Sequence, residues 1–176
     1  MSVISIFGSG KVEPASLDYK QAEIIGNRLA EQGFDLASGG YLGIMEAALK
    51  GASNYNNRRI AVTAKFFRDK KPNSYANEII ETDSYTDRLI KLTEIADGFI
   101  IFPGGSGTLL EFAYLLAMKE RNIFKEKPLI CIGNGWKNII KIIGYENKKD
   151  LTGSYKIAFV DNANEVVNKI VDYMIC

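Results

Sequence analysis

The segment Phe99-Ile100-Ile101-Phe102-Pro103-Gly104-Gly105-Ser106-Gly107-Thr108-Leu109-Leu110-Glu111 changes character midway. Its first four residues are continuously apolar, as a strand covered on both faces must be. Pro103 ends that run, and glycines at 104, 105 and 107 mark a turn. From Gly107 to Glu120 the chain reads as a helix, and Pro128 to Ile132 gives the next apolar strand. A strand that passes through a glycine turn into a helix, and then into another strand, calls for a crossover connection.

The same alternation extends in both directions. Val3 to Phe7 reads as a buried strand, Ser16 to Gln32 as an amphipathic helix stopped at Gly33, and Phe34 to Ala37 as a second strand. A helix from about Gly43 to Leu49 and a strand from Ile60 to Thr63 follow. Lys65 to Asn77, polar and basic with Pro72, reads as a surface loop, and Glu78 to Glu81 as a short strand. Tyr85 to Ala96 and Trp136 to Ile143 read as helices, Ile157 to Val160 as a strand, and Ala163 to Met174 as the last helix. The expected architecture is an α/β, three-layer Rossmann-like fold with a mostly parallel central sheet and helices on both faces. Without repeats or linkers, residues 1–176 are expected to form one domain.

Composition narrows the chemistry. The chain has 22 Lys and Arg against 21 Asp and Glu, a balance that gives no electrostatic reason to expect nucleic acid or membrane as a partner. No apolar run approaches a bilayer span, and the N-terminus lacks a signal-peptide pattern, so a cytoplasmic location is expected. Cys131 and Cys176 lack metal-ligand spacing and read as reduced thiols. There is no histidine, which excludes a Ser-His-Asp triad, a Cys-His dyad and His-containing zinc sites. Proton transfer falls to carboxylates, Lys, Tyr, Cys or a substrate group. Neither a metal nor a cofactor is expected.

Three glycine-rich turns follow three strands: Gly8-Ser9-Gly10-Lys11, Gly39-Gly40-Tyr41-Leu42-Gly43 and Pro103 to Thr108. All three should leave the same edge of the sheet, where ligands of such folds bind. The third opens a helix, so free N–H groups and the positive end of the helix dipole meet there, and an anion can be held without a lysine. Gly10-Lys11 is not a P-loop, because Ser5 and Val12 stand where that motif needs Gly and Ser or Thr. Gly8-Ser9-Gly10 carries Glu13 in place of the third glycine of the dinucleotide fingerprint and also reads as a plain tight turn.

Pro103 to Glu111 resembles the PGGxGTxxE signature of the LOG family, phosphoribohydrolases that release cytokinin bases and were once widely labelled lysine decarboxylases. The likeness extends to Gly39-Gly40-x-x-Gly43-x-Met45, to Phe7-Gly8-Ser9, and to Arg88 fifteen positions before Pro103, covering roughly Val3 to Ile132. It implies that Gly104, Gly105, Ser106, Gly107 and Thr108 hold a 5′-phosphate and that Glu111 and Arg88 act at an N-glycosidic bond. Gly8, Ser9, Gly39, Gly40 and Met45 would contribute to the substrate site. A homodimer with sites near its interface is implied as well. The chain departs from the plant-type pattern at Leu89, Ser38, Glu46 and Leu110, so cytokinin specificity does not follow.

Each residue also has a plainer reading. Thr108-x-x-Glu111 is a capping box in pattern. Arg88 flanks the stripe Tyr85, Leu89, Leu92, Ile95, where an arginine can snorkel to solvent or pair with Asp87 or Glu94. Glu46 reads as a dipole-compensating acid, Lys11 as solvated, and Lys65 to Lys71 as a solvated loop despite its aromatics. Two functions compete: hydrolysis of a nucleoside 5′-monophosphate to free base and ribose 5-phosphate, or non-catalytic carriage of a phosphate-bearing ligand, as in molybdenum-cofactor carriers of similar fold. Lysine decarboxylation would need a Schiff-base lysine under a pyridoxal ring, and no such constellation is present in the sequence.

Overall fold

The computed structural model describes residues 1–67, 69–124, 126–143 and 156–175. Cys176 and Arg68 lie outside them. Seven strands form one sheet: β1 (Val3–Phe7), β2 (Asp35–Ser38), β3 (Arg59–Ala64), β4 (Glu78–Thr82), β5 (Gly98–Ile101), β6 (Leu129–Ile132) and β7 (Ile157–Val160). Their spatial order is β4-β3-β2-β1-β5-β6-β7, and every pairing is parallel. The helices are α1 (Leu17–Glu31), α2 (Ile44–Gly51), α3 (Tyr85–Glu94), α4 (Ser106–Glu120), α5 (Gly135–Ile142) and α6 (Ala163–Ile175). No described helix is long and apolar enough to cross a membrane.

Strand alternation separates two cores. Ile4, Ile6, Leu36, Ile100 and Ile130 pack beneath α1, α2 and α6, while Val3, Phe7, Phe99, Ile101 and Leu129 pack beneath α3, α4 and α5. Covering both faces is why β1, β5 and β6 are apolar at nearly every position. Ser5, the polar exception in β1, is satisfied by donating to the Leu92 carbonyl at 2.7 Å. The expected layers are therefore present, with β1 and β7 at their expected bounds and the other elements ending within two residues of theirs. Lys65–Phe67, expected within a loop, forms a short 3-10 turn.

The order places a switch point between β1 and β5. From β1 the chain winds outward to β4, then returns to set β5 on the other flank of β1, with Phe7 opposite Ile101. Helices leaving β1 and β5 go to opposite faces, which opens a crevice beyond their carboxyl ends.

One buried cation serves structure. Lys119 in α4 is fully buried, and its ammonium donates to the carbonyls of Phe124 at 3.0 Å and of Lys127. Burial holds its pKa down to about 8. Lys119→Met would leave those carbonyls without this donor, and a loss of about 1–3 kcal/mol is expected in urea unfolding. An unchanged midpoint would show that the carbonyls find other partners.

Candidate active site

The three glycine turns meet at the crevice. Phe102 N–H donates to the Phe7 carbonyl at 2.9 Å, and Ser9 N–H to the Pro103 carbonyl at 3.3 Å, joining the first turn to the third. Ile44 N–H donates to the Ser9 carbonyl at 3.1 Å, joining it to the second. Gly40, with a φ of 75°, is held from outside by Asn73, whose amide donates to the carbonyls of Gly40 at 3.0 Å and Tyr41 at 2.9 Å. Lys11 stays exposed, its backbone N–H bonded to Ser9 Oγ at 3.2 Å.

Helix α4 begins at Ser106, one residue before the position expected from sequence, and its N-cap is Gly105 without any side-chain cap. Thr108 is then the third helical residue, buried against Gly104, so Thr108 and Glu111 do not form a capping box. Two other helices are capped by side chains: Ser16 caps α1 with Asp18 in the first turn, and Ser84 with Asp87 closes a reciprocal box on α3, whereas α2 and α5, like α4, start without one. The first turn of α4 carries no acid, and Gly104, Gly105 and Ser106 are exposed. A side chain at Gly105 would meet nothing within 4 Å. The positive end of α4 is left uncompensated at the switch point.

Behind those amides lies a buried pair. Arg88 projects from α3 with 7% of its side chain exposed. Its Nε donates to the Val62 carbonyl at 2.8 Å, Nη2 lies 3.8 Å from Met45 Sδ, and Nη1 lies 4.0 Å from Glu111 Oε1. The rings of Tyr41 and Phe67 stand 5.7 and 6.0 Å from the guanidinium. Snorkelling is therefore overturned, and so is pairing with Asp87, whose carboxylate accepts from the Ser84 N–H and hydroxyl. Gly39 makes the room: a methyl group there would stand 1.6 Å from Arg88 Nη2 and 2.6 Å from Met45 Sδ.

Glu111 keeps 12% of its side chain exposed. Among the described residues its carboxylate accepts no hydrogen bond, and the 4.0 Å approach to Arg88 is an ion contact only. Burial raises its pKa from the ordinary 4.5 to about 7, against the pull of Arg88. A carboxyl group poised near neutrality, one cation beside it and an uncapped helix start at the same crevice make a coherent chemical unit. Glu46 sits in the first turn of α2, as expected, and also accepts from the Tyr19 hydroxyl at 3.1 Å. Burial, with Glu46 second, pushes that phenol up to about 12.

A profile of the SLOG cluster4 family matches residues 1–167. The chain belongs to this family. SLOG cluster4 membership agrees with the resemblance read from Pro103 to Glu111. Among its relatives is a pyrimidine/purine nucleotide 5′-monophosphate nucleosidase of Escherichia coli, 36% identical over 126 residues, which are 66% of this chain but 28% of the relative. The SLOG chain thus spans little more than a quarter of that enzyme. A cytokinin riboside 5′-monophosphate phosphoribohydrolase of Arabidopsis thaliana is 25% identical over 166 residues, 90% of this chain and 78% of the relative. A molybdenum cofactor binding protein from the phototrophic bacterium Rippkaea orientalis superposes with a TM-score of 0.76 at 22% identity, over 99% of this chain and 98% of that one, a likeness of fold alone.

Three residues at the site escaped the sequence reading. Tyr41, Phe67 and Tyr85 form a chain of edge-to-face rings, with centroids 5.4 Å apart for Tyr41–Phe67 and 5.8 Å for Phe67–Tyr85. The 65–71 segment is thus more than a solvated loop, since Phe67 packs inward while Phe66 is exposed. The available signal was an aromatic residue beside each motif, at the second turn, in the basic segment and three residues before Arg88.

Proposed function

We propose that this chain hydrolyses the N-glycosidic bond of a nucleoside 5′-monophosphate, releasing the free base and ribose 5-phosphate. The observation that carries the reading is the buried Glu111–Arg88 pair, 4.0 Å apart, at the crevice that the uncapped start of α4 faces. The amides from Gly105 to Thr108 bind the phosphate and so fix the sugar, with Gly8, Ser9, Gly39, Gly40 and Met45 forming the adjoining walls. The carbon–nitrogen bond at C1′ breaks with its electron pair leaving on the base. Ionised Glu111 opposes the positive charge that grows on C1′ and takes the proton of the water whose oxygen bonds there. The departing base takes up a proton from solvent water, and Glu111 returns to solvent the one it took. Arg88 favours the ionised form of Glu111 and meets the electron-rich leaving group. Relatives named for this activity on nucleotide monophosphates support the reading. A homodimer belongs to it as well, with Leu109 and Leu110 exposed on α4 beside the site.

A second reading keeps the cradle and drops the chemistry. Leu89 and Leu110 stand where the plant-type pattern has charged residues, and the same fold serves a molybdenum cofactor binding protein. Incubation with a panel of nucleoside monophosphates, followed by chromatography for base and ribose 5-phosphate, separates the two. Hydrolysis predicts equal amounts of both products. Tight retention of an intact nucleotide overnight would establish the carrier instead.

A further inference from the structure

We propose that Tyr85 is a substrate-binding residue of this site, its phenol donating a hydrogen bond to the ligand's phosphate beside the start of α4. The inference rests on the phosphate reading of that turn. Tyr85 is the first residue of α3, and the reciprocal Ser84–Asp87 cap fixes where it starts. Its ring is braced edge-on by Phe67 at 5.8 Å and 80°, three residues before the Arg88 that reaches Glu111. The hydroxyl ends over the third glycine of the signature, where a methyl group on Gly107 would stand 3.0 Å from Tyr85 Oη. That separation is tighter than ordinary contact, so Gly107 leaves room for the phenol to lie against the first turn of α4.

The placement is chemically specific. Among the described residues the Tyr85 hydroxyl has no hydrogen-bond partner, although its half-buried ring is packed. Phenylalanine would make the same ring contact with Phe67. What the hydroxyl adds is one neutral donor beside amides that already favour an anion. A phosphoryl oxygen on those amides lies within reach of it, and a hydrogen bond to a charged oxygen is stronger than one between neutral groups. The amides alone would accept many anions. A side-chain donor arriving from α3 ties the phosphate to the same helix that carries Arg88, and so sets the distance between phosphate and the Glu111–Arg88 pair.

Tyr85→Phe tests this, because it removes one oxygen and keeps the ring. Ribose 5-phosphate binding to the wild type and variant is measured by calorimetry, with unphosphorylated ribose as control and thermal unfolding as the check on folding. The variant should bind ribose 5-phosphate about tenfold more weakly, with its unfolding temperature and its response to ribose unchanged. If nucleotide turnover is present, KM should rise by a similar factor with kcat nearly constant, as loss of uniform binding requires. Equal affinity of wild type and variant for ribose 5-phosphate would overturn the role of Tyr85 and leave the cradle standing. No binding of ribose 5-phosphate by the wild type would overturn the cradle itself, and Tyr85 with it. Should the variant unfold at a lower temperature, ribose 5-phosphate and ribose are compared at a temperature where both proteins are folded, and a loss confined to the phosphorylated sugar would still support the hydrogen bond. An equal loss for both sugars would assign the residue to packing alone.

Discussion

Glu111→Gln is expected to abolish base release by about a thousandfold while nucleotide binding persists, and to make the protein more stable above neutral pH. Both effects come from the same burial. The carboxyl pKa stands near 7 rather than 4.5 because the side chain is desolvated and, among the described residues, accepts no hydrogen bond, with Arg88 offsetting only part of that penalty. An acid whose pKa is raised by folding binds more protons folded than unfolded between the two values. Stability therefore falls as pH rises from about 4.5 to about 7, and the deficit persists above that window. The neutral amide removes the deficit, so at pH 8 the variant should gain up to roughly 3 kcal/mol, while at pH 4 the two proteins should unfold together. Wild-type turnover should rise with pH around 7, because ionised Glu111 is the form that opposes charge on C1′. Thermal melts at the two pH values and a pH–rate profile check both halves. Equal turnover in wild type and variant would end the catalytic assignment, and equal melts at pH 8 would show that the carboxylate is not held at a penalty.

Gly39→Ala should be nearly as severe although it replaces no ionisable group. The added methyl would stand 1.6 Å from Arg88 Nη2, an impossible separation, and 2.6 Å from Met45 Sδ. The guanidinium must move, yet it is enclosed by Tyr41, Phe67, Met45 and the Val62 carbonyl, so overpacking should cost about 1–3 kcal/mol. Once Arg88 is displaced, Glu111 loses the one influence holding its pKa down. Turnover should drop by about a hundredfold, and the rising limb of the pH–rate profile should move to higher pH. The shift in pH is the decisive readout, since general destabilisation alone would lower the rate without moving the limb. Superimposable profiles would show that Arg88 does not act on Glu111.

Much of this molecule was legible from periodicity. Continuous apolar runs such as Val3 to Phe7 and Phe99 to Phe102 signal strands covered on both faces, and the helical segments between them require parallel crossovers. Glycine turns after strands point to one edge of the sheet, because each turn follows a strand in a sheet whose strands run the same way. The start of α4 was less legible. Thr108-x-x-Glu111 satisfies the capping pattern in letters, but Gly105 takes the cap position and Thr108 packs on Gly104, and local sequence does not distinguish the two.

Sequence by itself determined the fold class, the absence of histidine chemistry and the glycine-rich turn that opens α4, because these depend on residue type and spacing along one segment. Tertiary structure alone decided that Arg88 is buried rather than snorkelling, that it reaches Glu111, and that Tyr41 and Phe67 stand against its guanidinium with Tyr85 packed on Phe67. The reason is physical. These contacts join the segments that follow β2 and β3 to α3 and α4, which only the sheet order brings together, and a side chain's pKa or freedom depends on what the other elements place against it.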